Sequence, residues 1–302
     1  MSATISLSTG KPYGIQRVCE IWGVARSTFY TRKAQLENIS PAAAAKRGPK
    51  TLLSDDELLA LIRHDLDTSP FTGEGHRKVW GRLRFVKGYK VGRKRVLRLM
   101  RENHLLSPYR VPQGTPSLHK GKIITLAPNV MWGTDGTKIF TLEDGWCWLF
   151  TAVEHWNSEC VGWHVTKKGD RFAALQPLSM GIMKHYGSVQ AGAARGLTLR
   201  MDNGSQYLSE HFQNQIKFWG IAPSFAFVRE PETNGVVERF NRTLKEQVIY
   251  GRTFKNIEEV RAAMEEFVTK YNQLWLVEKI GFRSPSQARD EFNEELNFKK
   301  AA

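Results

Sequence analysis

Asp135, Asp202 and Glu238 are the residues of this 302-residue chain whose types and surroundings best fit chemistry. Asp135 interrupts an apolar, strand-like run, Trp132-Gly133-Thr134-Asp135-Gly136-Thr137, where aspartate is unfavourable by propensity. Asp202 closes a second such run, Leu199-Arg200-Met201-Asp202-Asn203-Gly204-Ser205. Glu238 sits in a helical stretch, Asn234-Gly235-Val236-Val237-Glu238-Arg239-Phe240, and 35 residues separate it from Asp202. Carboxylates gathered in one pocket suit magnesium, which takes hard oxygen ligands and keeps several waters, so one or two per ion suffice. Two ions about 3.5–4 Å apart, sharing a carboxylate, activate an attacking oxygen and stabilise a leaving one in phosphoryl transfer. Such acids raise one another's pKa values, a cost that bound metal offsets. The three together predict a metal-dependent phosphoryl-transfer enzyme acting on nucleic acid.

The helix around Glu238 carries an apolar stripe, Val237, Phe240, Leu244 and Val248, at steps of three, four and four. Asn234, Asn241, Arg242 and Lys245 lie at offsets −4, +3, +4 and +7 from Glu238, on its side of the helix. These amides and cations read as DNA contacts near the acids. The plainer alternative is a surface helix with a Glu238–Arg242 pair, which leaves both aspartates unexplained. Glu154 is a rival carboxylate that no spacing supports, and His155 and His164 read as satisfied sheet histidines.

The elements that must hold the acids are legible from period. Residues 130–141, 146–155 and 158–166 read as three strands, with a turn at Glu143-Asp144-Gly145. A helix over 170–186, a strand over 196–201, a helix over 205–219 and a strand over 222–228 follow. Helices over 232–250 and 256–274 complete the pattern, an α/β (α+β) mixed sheet covered by helices. The expected divisions are an N-terminal unit 1–37, a linker 38–53, a helical unit 54–107, a connector 108–128, a catalytic core 129–276 and a tail 277–302.

Charge divides the chain differently. The net charge is +14, and residues 1–128 hold 23 Lys and Arg against 9 Asp and Glu, so the second half is neutral. A basic front half joined to a neutral back half fits a polyanion-binding module tethered to a second function. Residues 14–33 read as helix, glycine turn and helix, with Ser27 as a cap; a helix-turn-helix and a plain helical hairpin both fit. Ser54 and Glu57 have capping-box spacing. Residues 76–101 hold eleven cations and no acid, in two helices separated by Gly88-Tyr89-Lys90-Val91-Gly92. Arg77, Lys78, Arg93, Lys94, Arg95 and Arg98 are the expected DNA contacts, with Arg93, Lys94 and Arg95 at the start of a recognition-type helix. Cys19, Cys147 and Cys160 have no CxxC spacing and read as buried thiols of a reducing cytoplasm, not a zinc site. No signal peptide and no membrane span are expected.

Taken together, Trp132-Gly133-Thr134-Asp135, Met201-Asp202-Asn203-Gly204-Ser205-Gln206-Tyr207 and Pro231 through Lys245 resemble the integrase-core transposases of bacterial insertion sequences. More narrowly, they resemble the downstream-frame (OrfB-type) product of two-frame elements, relatives of retroviral integrases. The resemblance includes the basic unit at 76–101 and so covers most of the chain. It implies an RNase H-like core preceded by helix-turn-helix units, and a DDE triad of Asp135, Asp202 and Glu238 ligating two Mg²⁺ ions, with Mn²⁺ as substitute. It implies Lys245 gripping DNA near the scissile phosphate, cutting and joining of double-stranded terminal-repeat and target DNA, and action at the bacterial nucleoid. A homo-oligomeric active complex and an upstream-frame partner protein or fusion are also implied. One departure stands out. Where many relatives carry Arg-Pro-His after Tyr-Asn of the last long helix, Tyr271-Asn272 is followed by Gln273-Leu274 and then Trp275-Leu276-Val277. Two other functions compete: an inactive helix-turn-helix regulator with an integrase-like dimerisation core, and an RNase H-like resolvase acting on branched DNA.

Overall fold

The computed structural model describes residues 3–37, 52–109, 123–226 and 234–301. The chain divides into two compact units, 1–52 and 53–302. In the first unit, α1 (Ile15–Ile21) and α2 (Arg26–Glu37) are joined at Gly23, and the amide of Val24 donates to the Cys19 carbonyl. Because α2 begins at Arg26, Ser27 lies inside its first turn and does not cap it. Most of the expected linker, and most of the expected connector, lie outside the described residues.

The second unit opens with α3 (Asp55–Thr68), whose N-terminus is closed by the Ser54–Glu57 capping box. Next come α4 (His76–Gly81), which runs on as a π-helical turn over Arg82–Val86, and α5 (Arg93–Glu102). Leu58, Ile62, Val79, Leu83, Val96, Leu99 and Met100 form their shared core. The basic stretch has no acid of its own, yet the fold brings acids to it. Arg82 pairs with Asp65 at 2.7 Å and Glu74 at 2.6 Å, Lys87 with Asp65, and Arg95 and Arg98 with Asp55.

A five-stranded sheet in the order β3-β2-β1-β4-β5 underlies the rest of the second unit. Strands β1 (Met131–Thr141), β2 (Gly145–Glu154) and β3 (Cys160–Thr166) form an antiparallel meander, and β4 (Thr198–Met201) and β5 (Ala222–Phe225) add in parallel beside β1. Gly145, at φ +69°, supplies the left-handed residue that closes the first hairpin. Helix α6 (Arg171–Tyr186) lies on one face of the sheet with α7 (Ser205–Leu208) and α8 (Glu210–Phe218). Helices α9 (Gly235–Leu244) and α10 (Ile257–Leu274) cover the other. Alternation along β1 assigns its residues to these layers. Trp132 enters the α6 core, and Ile139 enters the α9–α10 core.

Three details differ from the sequence reading. The helix expected over 205–219 breaks at Ser209, whose hydroxyl caps α8 by accepting from the Phe212 amide. Beyond α9 the backbone passes into a π-helical turn, Lys245–Ile249. The segment expected to be a tail folds as a 3₁₀ turn, Glu278–Ile280, and a 17-residue helix, α11 (Pro285–Ala301). Arg289 of α11 is buried against Glu159 at 2.5 Å and Glu154 at 3.5 Å, and Phe292 meets Trp156 edge-on. The same C-terminal segment touches the α3–α5 unit. Phe282 stacks on Phe85, Trp275 packs on Phe71, and Glu278 pairs with both Arg77 and Arg93.

Candidate active site

Strand pairing places the two aspartates. Parallel strands β1 and β4 pair Met131 with Thr198, Trp132 with Leu199 and Gly133 with Arg200. Two residues further along each strand lie Asp135 and Asp202, so the register carried forward sets them opposite one another where the strands separate. Adjacent strands run about 4.8 Å apart. Paired residues point to the same face, here that of Gly133, Asp135 and Ile139, beneath α9. Asp135 is partly buried and Asp202 is exposed.

Helix α9 is fastened across this face by two amides. Asn234 Nδ2 donates to the Thr134 carbonyl at 3.2 Å, and Asn241 Nδ2 donates to Asp135 Oδ2 at 2.8 Å. Glu238 lies one turn beyond the first and one turn before the second, on the same side of the helix, with its side chain exposed. The helix can come this close because residue 133 is glycine. A Cβ there would overlap Val237 and stand 2.9 Å from Asn234 Oδ1.

Both oxygens of Asp135 are held, Oδ2 by Asn241 and Oδ1 by the Gly136 amide at 2.8 Å. Burial raises its pKa above the ordinary carboxylate value, and the Asp202 charge adds to that, while the Gly136 and Asn241 hydrogen bonds and Lys245 oppose it. Asp202 Oδ1 accepts from the Gly204 amide at 2.9 Å. The donor set is all hard oxygen, and two like charges on neighbouring strand positions favour a cation between them. Among the described residues, no three His, Cys, Asp or Glu side chains stand close enough together to hold an ion. The structure thus puts Asp135 and Asp202 two residues beyond the last β1–β4 pair, near enough for the Asp202 charge to act on Asp135, with Glu238 exposed on α9, but it does not gather the three acids into one coordinating group.

The other expected residues separate into two groups. Asn234 and Asn241, read as DNA contacts, are buried at 5% exposure with their amides turned onto β1. Arg242 is exposed and Lys245 partly so. In the basic unit, Arg77 and Arg93 face Glu278, and Lys78 donates to the Leu276 carbonyl and lies over the Trp275 ring. Arg95 and Arg98 face Asp55, which their hydrogen bonds hold well below the usual carboxylate range. Lys94 is exposed and has no ion pair among the described residues.

Glu154, the rival carboxylate, has a structural role. It is fully buried and accepts from the Asn129 and Trp156 amides and from Trp132 Nε1. His155 is not the satisfied histidine expected. It is buried and neutral, its pKa pulled down to about 4 by burial and by the Lys279 and Arg200 charges. Neither ring nitrogen has a hydrogen-bond partner among the described residues. Thr151, which the sequence reading passed over, is fully buried and donates to Asn241 Oδ1 at 3.2 Å. Its signal lay in the hairpin, because a turn centred on residue 143 pairs Asp135 with Thr151.

Residues 126–231 match a family model described as Integrase core domain, and 219–293 match a second model of that description. Residues 54–113 match a model described as HTH-like domain. The chain is 29% identical over 242 residues to the Transposase InsD for insertion element IS2A/D/F/H/I/K of Escherichia coli, covering 77% of this chain and 78% of that protein. It is equally identical to the IS2-9 transposase InsD of E. coli strain K12, covering 77% and 76%. Similar solved structures include the HTLV-2 integrase catalytic core domain in complex with magnesium (trimeric form), at TM-score 0.41 and 19% identity over 54% of this chain and 98% of that one. Another is the simian T-cell lymphotropic virus intasome in complex with PP2A regulatory subunit B56 gamma, at 0.45 and 18% over 76% and 74%. At those scores the fold assignment rests on the chain's own strand order.

Proposed function

We propose that this chain, whose residues 126–231 and 219–293 match models described as Integrase core domain, is an insertion-sequence transposase that cuts its element's DNA ends and joins them to target DNA at a site built from Asp135, Asp202 and Glu238. The observation that carries this reading is the parallel β1–β4 register, whose last pair, Gly133–Arg200, stands two residues before each aspartate, while α9, which bears the glutamate, is tied to Asp135 through Asn241. Asp135 and Asp202, joined by Glu238, would hold Mg²⁺, or Mn²⁺ in its place; bound metal supplies activation of the attacking oxygen and neutralises charge on the leaving one.

The chain's own groups do the positioning. The Gly136 amide and Asn241 orient the Asp135 carboxylate, and the Gly204 amide orients that of Asp202. Arg242 on α9 and Lys245 at the start of the π-helical turn that follows offer cations to the DNA phosphates next to the scissile bond. Water serves as nucleophile for cleavage and a 3′-hydroxyl for joining, so no serine or tyrosine nucleophile is invoked. The helical units grip the terminal repeats, with Lys94 among the cations that reach DNA, and the active complex is a homo-oligomer assembled with any upstream-frame partner.

Asp135→Asn and Glu238→Gln are expected to abolish Mg²⁺-dependent nicking of end DNA while gel-shift binding persists. Normal nicking by either variant removes that residue from the site. The inactive-regulator reading predicts binding without nicking by the parent chain, and no observation favours it. A resolvase would cut branched DNA in preference to terminal repeats, and the same assay with a four-way junction separates the two.

A further inference from the structure

Three polar groups link β2 to the proposed metal site. Thr151 Oγ1 donates to Asn241 Oδ1 at 3.2 Å, and Asn241 Nδ2 donates to Asp135 Oδ2 at 2.8 Å. Thr151 is fully buried and Asn241 is 5% exposed, so water does not substitute freely for either partner. The Thr151 carbonyl is itself held by Thr134 Oγ1 at 2.9 Å, which ties the two strands together beneath the helix.

An asparagine amide has a donor end and an acceptor end. Turned over, Asn241 would set its oxygen against the Asp135 carboxylate, acceptor facing acceptor, and lose a charge-assisted hydrogen bond. In the observed orientation Oδ1 points into the interior, where it needs a donor. The Thr151 hydroxyl supplies one. Without it, a buried carbonyl oxygen is left unpaired, and the amide relieves that by swinging out of line with Asp135.

We infer that Thr151 is a positioning residue for metal binding: through Asn241 it fixes the plane of the Asp135 carboxylate and the seat of α9 on β2. The inference rests on the reading of Asp135 as a metal ligand. Asn241 also lies one turn after Glu238, so the same bond sets how that glutamate approaches the two aspartates.

The test is Mn²⁺ binding by the full-length chain without DNA, read by electron paramagnetic resonance, alongside thermal melting. Partners that orient metal ligands typically contribute about 10–100-fold in affinity. Thr151→Val, which keeps the side-chain shape, is expected to weaken Mn²⁺ binding about tenfold with little change in melting. Thr151→Ser, which keeps the hydroxyl, is expected to restore it. Thr151→Val should add nothing in an Asn241→Ala background, because both changes remove the same bond. Thr151→Ala serves in place of the valine variant should that one unfold.

Asp135→Asn separates the two levels of failure. If it leaves Mn²⁺ binding unchanged, the site reading itself falls. If it abolishes binding, three results overturn the Thr151 inference alone: a hydroxyl-free variant that binds Mn²⁺ like the parent, effects that add in the double variant, or a loss that serine does not rescue.

Discussion

Gly133 shows how little room surrounds the acids. Its missing side chain is the space into which Val237 and Asn234 of α9 fit. Alanine at 133 forces either the helix or the strand to move, and overpacking of this kind costs about 1–3 kcal/mol. Gly133→Ala should therefore lower the melting temperature and also weaken metal binding, since α9 carries Glu238 and Asn241. An unchanged melting temperature would show that the helix is free to lift. Asp135 carries the complementary constraint. Burial and the Asp202 charge raise its pKa, and the hydrogen bonds to Gly136 and Asn241 make it usable as a carboxylate.

The helical unit shows how an element's charge differs from its sequence's charge. Arg95 of α5 belongs to a bond set with Asp55 and the Leu53 carbonyl that ties α5 to the start of α3. Lys94 and Arg101, two turns apart on α5, are exposed opposite the buried Val96, Leu99 and Met100, and neither has an ion pair among the described residues. Each cation–phosphate contact contributes about 0.9 to the slope of log K against log salt. Changing Lys94 and Arg101 together to alanine should flatten the slope for end DNA by about 2. Arg95→Ala should lower melting with little change in slope. The reverse pattern would place the DNA on the Arg95 side of the helix.

At the scale of the whole second unit, α11 closes the fold. Arg289 enters the end of the sheet between Glu154 and Glu159, and His185 and Lys184 reach Glu159 from α6. Burial works against ionisation of Glu159, but His185, with Nε2 3.3 Å from Oε1, and the Arg289 charge prevail and hold its pKa below the ordinary value of 4.5. A depressed carboxylate pKa adds stability above the unfolded value, and that contribution is lost as pH falls through the folded one. Melting temperature should therefore drop below about pH 4.5 in the parent chain. Removing one partner of a buried ion pair costs about 3–5 kcal/mol. Arg289→Ala should accordingly lower melting sharply at neutral pH and make its acid dependence shallower. An Arg289→Ala chain that melts like the parent would mean that α11 is not needed to close the sheet.

Local pattern alone marked most of the core's elements and singled out the three acids as candidates. Alternation of period two exposed the meander and steps of three and four exposed α9 and α10, but the register needed the fold: the turn read at Glu143-Asp144-Gly145 is centred on 144, whereas the loop that forms is centred on 143 and sets Asp135 opposite Thr151. Those signals are legible because each is written within about 20 neighbouring residues. Tertiary structure decided which polar groups are spent inside the molecule. Asn241 and Lys245 share the Glu238 side of one helix, yet Asn241 turns in to hold Asp135, 106 residues away, while Lys245 stays partly exposed. Arg77 meets Glu278 across 201 residues, and Arg289 meets Glu159 across 130. Ion pairs and buried amide bonds form wherever packing brings the groups together, and no periodicity along the chain records those meetings.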